Sequence, residues 1–300
     1  MYDALVIGGG PAGMTAAIYL KRANLNVALI EKGAPGGKMT ETYLIENYPG
    51  FPLINGADLA LAMYQQIVNL NIPHLYGEVK AVEKNKDGFI VKTDYEEHPA
   101  AKVIVATGTV SRKLHIPGEN EYLGKGISFC AVCDGSLYKD KVVAVIGGGN
   151  SAFEESIYLS RLVKHVHIIV RSSRYRAEEA LIKKVEALPN VTIHKENETI
   201  AFLGNSSLEK VKLFDKTKNV EWELPVDGVF IYIGFDPATQ FLKPLGVLDQ
   251  DGYIVVDENF ESQVKGLYGA GDCLTKKTRQ IATATGDGAS AASALIRSYR

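Results

Sequence analysis

Two of the chain's three cysteines stand close together, in the stretch FCAVCDGSLY at residues 129–138. Two residues separate Cys130 from Cys133, and Asp134 follows directly. A pair with this spacing can ligate a metal, form a structural disulfide or carry out thiol redox chemistry. A zinc site needs about four ligands, commonly from two such pairs, and the third cysteine, Cys273, is distant in sequence. No metal site is therefore expected, and Cys273 is interpreted as a small buried residue.

The histidines give no stronger metal signal. His165 and His167 occur in the run HVHIIV, which has the composition of a strand. Residues two apart on a strand face the same side of the sheet, so we expect both imidazoles on one face. We interpret them as polar strand positions rather than as ligands.

Two stretches of the chain share a glycine pattern: residues 6–20 read VIGGGPAGMTAAIYL, and residues 145–159 read VIGGGNSAFEESIYL. Each follows an apolar strand-like run and opens an amphipathic helical pattern. The first glycine permits a tight turn, the second lets a pyrophosphate approach the backbone, and the third position must be small. These positions are Gly8, Gly10 and Gly13 in the first stretch and Gly147, Gly149 and Ala152 in the second. Two such loops predict two dinucleotide sites.

The two predicted sites differ where their second strands end. The first has Glu31, a carboxylate that suits the ribose 2′-hydroxyl of FAD or NAD and repels a 2′-phosphate. The second has Val170 there, followed by Arg171, Arg174 and Arg176. Guanidinium groups suit a 2′-phosphate. The alternative is that these arginines form a solvated face at the start of the next helix. We interpret the first site as one for FAD or NAD and the second as one for NADP(H).

The order of the motifs predicts an α/β fold with two Rossmann-like domains, in which the second dinucleotide-binding domain is inserted into the first. The outer domain is expected at residues 1–113 and 241–300, and the inner domain, which carries the cysteine pair, at residues 114–240. Two crossings of the chain would allow one domain to rotate against the other.

Composition sets limits on function. The net charge of −2 argues against a global attraction for nucleic acid or anionic membranes. No apolar run has the length of a membrane-spanning helix, and the first residues, MYDALVIGGG, lack the features of a secretory signal. We therefore expect a cytoplasmic protein without nucleic-acid or membrane partners, in which free thiols are the default and a structural disulfide is disfavoured.

Several motifs in one order resemble a known family. They are GGGPAG, ENYPGF at 46–51, ATG at 106–108, CAVCDG at 130–135, GGGNSAFEE at 147–155, RYRAE at 174–178 and GAGDC…RQIATATGDG at 269–288. Over nearly its whole length the chain resembles the low-molecular-weight thioredoxin reductases, FAD-dependent members of the pyridine nucleotide-disulfide oxidoreductases. The CxxC followed by Asp-Gly is the most specific of these motifs.

The resemblance implies that the outer domain is an FAD-binding domain and that the inserted inner domain is an NADPH-binding domain. It also implies an activity and a set of site residues. Hydride would pass from NADPH to FAD, electrons would reach the Cys130–Cys133 disulfide, and thiol–disulfide exchange would reduce thioredoxin, in a homodimer. Cys133 would face the flavin, Cys130 would attack the substrate, and Asp134 would transfer a proton unless it only caps the next turn. The FAD contacts implied are Gly8, Gly10, Gly13, Glu31, Asn47, Asp272 and a helix that begins with Arg279, Gln280 and Ile281. The nucleotide contacts implied are Gly147, Gly149, Ala152, Arg171 and Arg176.

The chain departs from the family pattern at three positions. Val170 and Ser172 stand where the family has a histidine and a second arginine, with Arg174 able to compensate, and Lys38 stands where a glutamine near the flavin is usual. Alternatives therefore stay open: a reductase that uses NADH or ferredoxin as donor, one that reduces another protein disulfide, and a flavin-bound redox-sensing module. Retention of the second glycine loop favours a nucleotide-dependent enzyme over a sensor.

Overall fold

The computed structural model describes residues 1–42 and 44–299. The chain forms two compact units, one of Met1–Val110 with Asp236–Arg300 and one of Ser111–Phe235, called here the outer and the inner unit. The strands, in chain order, are β1 (Tyr2–Ile7), β2 (Val27–Glu31), β3 (Leu44–Ile45), β4 (Ile54–Asn55), β5 (His74–Tyr76), β6 (Val79–Asn85), β7 (Gly88–Thr93), β8 (Glu97–Val105), β9 (Thr109–Ser111), β10 (Ile127–Ser128), β11 (Val142–Ile146), β12 (His165–Val170), β13 (Val191–Lys195), β14 (Asn197–Gly204), β15 (Leu208–Asp215), β16 (Val220–Pro225), β17 (Gly228–Ile231), β18 (Phe235–Pro237) and β19 (Leu267–Gly269). The α-helices are α1 (Pro11–Arg22), α2 (Gly56–Asn69), α3 (Ala131–Asp134), α4 (Asn150–Leu159), α5 (Glu179–Glu186) and α6 (Ile281–Arg297).

The outer unit is built on a sheet in the order β5-β2-β1-β8-β7-β6, in which β19 also pairs with β8. The strands β5, β2, β1, β8 and β19 run parallel. Helices α1, α2 and α6 contribute to the core on one face, and the β6–β7 hairpin, through Val82, Phe89 and Val91, to the core on the other. Because both faces are covered, the central strands are continuous apolar runs rather than alternating ones.

Strand register brings the functional loops of the outer unit to one edge. Ile7 of β1 lies opposite Ile30 of β2 and Val105 of β8, and Gly269 of β19 also lies opposite Val105. These strands therefore end together, and the segments that follow them meet at the carboxyl edge of the sheet, where open α/β sheets bind ligands.

The inner unit repeats this plan with a parallel sheet in the order β10-β17-β11-β12-β13. Helices α4 and α5 cover one face, through residues such as Phe153 and Val185. The antiparallel sheet β14-β15-β16 covers the other, through residues such as Val211 and Leu213. The α/β class with two Rossmann-like units, expected from the sequence, is confirmed.

The chain passes between the units at β9 and β18, which pair with each other. The units divide at residues 110/111 and 235/236, whereas the sequence placed the boundaries at 113/114 and 240/241. None of the helices among the described residues combines the length and apolar character that crossing a membrane requires.

Candidate active site

The first glycine loop connects β1 to α1. Gly8 has φ 105°, a conformation that side chains rarely adopt. A Cβ at Gly13 would overlap the carbonyl oxygen of Gly8, whereas a Cβ at Gly10 would meet nothing within 4 Å. Helix α1 begins at Pro11 without a side-chain cap, so the described residues leave its first N–H groups open to a ligand. The loop is closed on the protein side at Gly13 and open on the other side at Gly10.

Glu31 ends β2 and holds this loop. Its Oε2 accepts a hydrogen bond from the Gly9 amide at 2.7 Å, and its Oε1 accepts one from the Gly33 amide at 2.9 Å. A carboxylate oxygen accepts more than one hydrogen bond, so both oxygens retain capacity for ribose hydroxyls. Sequence reasoning assigned Glu31 to the ribose and did not identify its contact with the loop.

Two buried oxygens near the loop accept or donate no hydrogen bond within the described residues: Thr107 Oγ1, after β8, and Asp272 Oδ1, after β19. The backbone of Thr107 lies against Gly8, and Gly271 packs against Ala12 of α1. A polar atom that is buried without a protein partner is expected to have another partner, such as water, an ion or a ligand. Together with the open face at Gly10, these oxygens fit a dinucleotide such as FAD.

Asp272 is surrounded by cations. Lys276 Nζ lies 3.6 Å from its Oδ1, and Arg279 and Lys38 also stabilise its charge. Burial nonetheless raises the pKa of Asp272 above its ordinary value, and the three cations oppose that effect. Lys38, the residue that departs from the family pattern, is thus part of this site.

Lys276 also binds Asp287 of α6, at 2.6 Å between Nζ and Oδ2. The same carboxylate oxygen accepts a hydrogen bond from the Gly271 amide at 3.1 Å. Sequence reasoning missed both side chains as site residues. The available signal was Asp287 within the GDG of the quoted 269–288 motif.

Helix α6 begins at Ile281, with Gln280 as its N-cap in a capping box with Thr283. Gln280 Oε1 accepts a hydrogen bond from Asn47 Nδ2 at 3.2 Å, which joins two residues predicted to lie near the flavin. The expectation that Arg279 starts this helix needs correction. Its guanidinium donates to the carbonyls of residues 272 and 274 and lies 4.3 Å from the Tyr253 ring centroid.

In the inner unit, Cys130 and Cys133 form a disulfide at the start of α3. Cys130 is the N-cap residue, and the Cys133 amide lies 3.1 Å from Cys130 Sγ. Tyr232 Oη accepts a hydrogen bond from the Ala131 amide at 2.8 Å and so holds α3 against the residue that follows β17. Cys133 is exposed and Cys130 is partly buried. The pair is therefore a solvent-reachable disulfide, the form that exchange chemistry requires.

Asp134 ends α3 and is partly buried. It precedes the 3-10 helix Gly135–Tyr138 but makes no side-chain cap hydrogen bond to it within the described residues. Burial raises the pKa of Tyr138 above its ordinary value, and the nearby charge of Asp134 raises it further. No hydrogen bond among the described residues therefore supports the alternative that Asp134 acts only as a turn cap.

Cys273 lies apart from this pair. It is fully buried, its thiol lies 3.2 Å from the carbonyl oxygen of Ala270, and it is not disulfide-bonded. Burial raises the pKa of this thiol to about 11, so it stays protonated and unreactive.

The second glycine loop connects β11 to α4 in the inner unit. Gly147 has φ 151°, and a Cβ at Gly149 would meet nothing within 4 Å. Helix α4 begins at Asn150 and, like α1, lacks a side-chain cap among the described residues. A Cβ at Gly148 would lie 2.9 Å from Val170, so Val170 takes the place beside this loop that Glu31 has beside the first. The second loop thus has the same open side and no acid at the ribose position.

The segment after Val170 folds against that loop. The Arg176 amide donates to the Gly148 carbonyl at 2.7 Å, and the Glu178 amide donates to Asn150 Oδ1 at 2.8 Å. Arg171, Arg174 and Arg176 are all exposed. The Ser172 hydroxyl donates to the Arg174 carbonyl at 2.8 Å and is directed into its own segment.

A histidine cluster lies elsewhere in the inner unit. His167 Nδ1 is 3.1 Å from His194 Nε2, and the His165 and His167 rings are 4.6 Å apart. No group of three metal-ligating side chains in residues 1–42 and 44–299 is arranged to hold a metal. Burial, followed by the charges of the neighbouring histidines, lowers the pKa of His167 to about 4.

Comparison with known proteins places this site in a family. A family model described as pyridine nucleotide-disulphide oxidoreductase matches residues 2–288. The thioredoxin reductase of Mycoplasma pneumoniae is 44% identical over 290 residues, 96% of this chain and 92% of that protein. That of Bacillus subtilis is 42% identical over 301 residues, 98% of this chain and 94% of that protein.

Among solved structures, the thioredoxin reductase of Lactococcus lactis is similar with a TM-score of 0.96 at 37% identity, covering 99% of this chain and 98% of that one. The resemblance found in the sequence motifs is thereby confirmed. The chain belongs to the pyridine nucleotide-disulphide oxidoreductase family, and within it to the thioredoxin reductases.

Proposed function

We propose that the chain is an NADPH-dependent thioredoxin reductase, with FAD in the outer unit and NADPH in the inner one, acting as a cytoplasmic homodimer. The observation that carries the proposal is the Cys130–Cys133 disulfide, which lies in the same unit as the second glycine loop. The relatives that support it are named thioredoxin reductases and match the chain over nearly its whole length.

The residues of the outer unit fit FAD by their chemistry. Gly8, Gly10 and Gly13 and the N-terminus of α1 would bind the pyrophosphate, and Glu31 the adenosine ribose. Asp272 would bind nearer the ribityl chain, and Asn47 and Gln280 nearer the flavin. The positive end of α6 would favour negative charge there. FAD, when bound, would supply a two-electron carrier between nicotinamide and disulfide.

The cysteine pair would then carry out exchange. Two electrons and two protons convert the Cys130–Cys133 bond into two thiols. The thiolate of Cys130 attacks the thioredoxin disulfide, which forms a mixed disulfide and releases one thioredoxin thiolate. Cys133 attacks the mixed disulfide, restores the Cys130–Cys133 bond and releases reduced thioredoxin. Asp134 would accept the thiol proton that activates the pair.

Substitution of each cysteine tests this relay. Cys130→Ser and Cys133→Ser should each abolish turnover of thioredoxin, because exchange needs both thiols, while NADPH still bleaches the flavin absorbance in anaerobic titration. Cys273→Ala is the matched control and should keep both steps, because that thiol is buried and protonated. Near-normal thioredoxin turnover in either serine variant would refute the relay.

The donor is tested by kcat/KM for NADPH and NADH in the wild type and in Arg176→Ala. Charge-assisted contacts to phosphate contribute about 1.5–3 kcal/mol each, so the variant should lose about tenfold or more in NADPH efficiency and keep that for NADH. Equal losses in kcat/KM for NADPH and NADH would show that Arg176 supports the fold and does not bind the 2′-phosphate. Failure of both nucleotides to reduce the flavin would favour another donor, such as a ferredoxin.

Sedimentation equilibrium tests the homodimer.

A further inference from the structure

The nucleotide site of the inner unit contains a cation that the arginine segment does not supply. Ser172 replaces one expected arginine, and its hydroxyl is engaged by the Arg174 carbonyl. The position across the sheet from Val170 is occupied by Lys195, the last residue of β13. Val170 of β12 and Lys195 are paired in register, although they are far apart in sequence.

Parallel strands in register place paired side chains on the same face of the sheet. Lys195 therefore leaves the carboxyl end of β13 on the same face as Val170, whose side chain lies against Gly148 of the glycine loop. In a dinucleotide-binding unit this is where the second strand presents its ribose-binding residue. Lys195 is thus one strand further along the same ligand-binding edge.

A direct contact fixes the ammonium group at the arginine segment. Lys195 Nζ lies 4.2 Å from the ring centroid of Tyr175, which stands between Arg174 and Arg176. Tyr175 is itself anchored, because its ring packs edge-on against Phe153 of α4 at 5.1 Å between centroids. The lysine charge is therefore held beside the arginines rather than extended into solvent.

Two acids near this group accept hydrogen bonds from neutral side chains. Glu178 accepts one from Asn150 Nδ2 at 3.0 Å, and Glu196 accepts one from the Thr217 hydroxyl at 3.4 Å. The three arginines of the segment, Arg171, Arg174 and Arg176, are exposed. Together with Lys195 they bring four cations to this edge, and a doubly charged phosphate can pair with such cations.

We propose that Lys195 is a specificity-determining residue that binds the 2′-phosphate of NADPH together with the neighbouring arginines, and so replaces the arginine lost at Ser172. This proposal rests on the proposed function for the nucleotide, and it adds a residue that no sequence motif contains. Lysine acts as a point charge with three donors, so a contact with Tyr175 leaves N–H groups for the phosphate.

The test compares Lys195→Met with Lys164→Met. Methionine keeps the length and apolar stem of the side chain and removes the charge. Lys164 is also exposed, but it precedes β12 and so lies at the opposite edge of the same sheet. In Lys195→Met we expect kcat/KM for NADPH to fall about tenfold and that for NADH to stay unchanged. Lys195→Arg should restore most of the NADPH efficiency, and Lys164→Met should match the wild type.

A binding measurement separates this proposal from the proposed function. Calorimetry on the full-length protein should show about tenfold weaker binding of 2′,5′-ADP in Lys195→Met, with binding of 5′-AMP unchanged. The calorimetric result tests the role of Lys195 independently of catalysis. If neither nucleotide reduces the flavin, only the assignment of NADPH as electron donor is refuted. The proposal is overturned if Lys195→Met and Lys164→Met have equal 2′,5′-ADP affinity, or if the wild type binds 2′,5′-ADP no better than 5′-AMP.

Discussion

At the scale of single residues, two glycines of one loop have opposite surroundings. Gly13 faces the backbone of Gly8, and an added Cβ would overlap its carbonyl oxygen. Gly10 has φ −75°, which any residue adopts, and an added Cβ would meet no protein atom within 4 Å. The fold therefore requires glycine at position 13, whereas only a ligand would require it at position 10.

Alanine at each position should separate these requirements. Gly13→Ala should lower the free energy of unfolding by about 1–3 kcal/mol, because the loop must shift to admit the methyl group. Gly10→Ala should leave the free energy of unfolding of the flavin-free protein unchanged or slightly raised. It should nevertheless weaken flavin binding, because the methyl group occupies the side open to a pyrophosphate.

Denaturant unfolding and fluorescence titration with FAD measure the two effects. Wild-type flavin affinity in Gly10→Ala would show that the open side of the loop does not bind the cofactor.

At the scale of elements, the histidines of β12 and β13 lie between two sheets. His165, His167 and His194 share the face that β16 covers with Trp222, whose ring lies 5.4 Å from that of His194. Burial lowers the pKa values of both His167 and His194, and nearby imidazoles lower them further. The cluster favours neutral imidazoles in the folded chain.

Stability of the inner unit should therefore depend on pH. The pKa of His167 falls from the ordinary 6.5 to about 4 on folding. Between these values the unfolded chain binds a proton that the folded chain does not. The contribution of His167 to stability is therefore complete above pH 6.5, decreases as the pH falls toward 4 and changes little below that. The full shift corresponds to about 3 kcal/mol, and partial exposure reduces the expected loss to about 1–2 kcal/mol.

Denaturant unfolding at about pH 7.5 and about pH 4.5 measures this loss. His167→Phe should lose less stability on acidification than the wild type, because it removes the depressed group. The control is His115→Asn, at an exposed position with φ 58°, which asparagine tolerates. An equal loss in His167→Phe and wild type would show that the cluster does not set the acid dependence.

At the scale of the whole molecule, each unit has cores of its own. The two clusters that cover the inner sheet come from residues within 111–235, and those of the outer sheet come from the remaining chain. The ends of the inner unit lie together, since the Arg112 amide donates to the Gly234 carbonyl at 2.9 Å. When the ends of an inserted unit lie close together, the flanking segments of the outer unit can be joined directly after the insertion is removed.

We expect residues 111–235 to fold in isolation, with one cooperative unfolding transition, and to form the Cys130–Cys133 disulfide. The outer unit, with residues 1–110 and 236–300 joined by a short flexible linker, should fold and bind FAD without the inner one. Circular dichroism, denaturant unfolding and flavin titration check both fragments. A molten inner fragment would mean that its sheet needs the outer unit.

The sequence alone determined the features that depend on short stretches of chain. The two glycine loops are strand–turn–helix units of about 15 residues, and their local conformation follows from where glycine or a small residue is needed. The spacing of Cys130 and Cys133 by itself allowed metal, structural and redox roles. The number of available ligands and the expected reducing compartment disfavoured the first two roles, and the resemblance to a family then assigned the redox role.

Tertiary structure decided which distant residues meet. Lys195 reaches Tyr175 because β12 and β13 pair in one register, and no pattern in either segment predicts that pairing. Lys276 and Asp287 meet at Gly271 because α6 returns to α1, and Arg279 turns back to nearby carbonyls instead of starting the helix. Register and helix docking depend on burying both faces of a sheet at once, so they are properties of the packed unit that no local pattern contains.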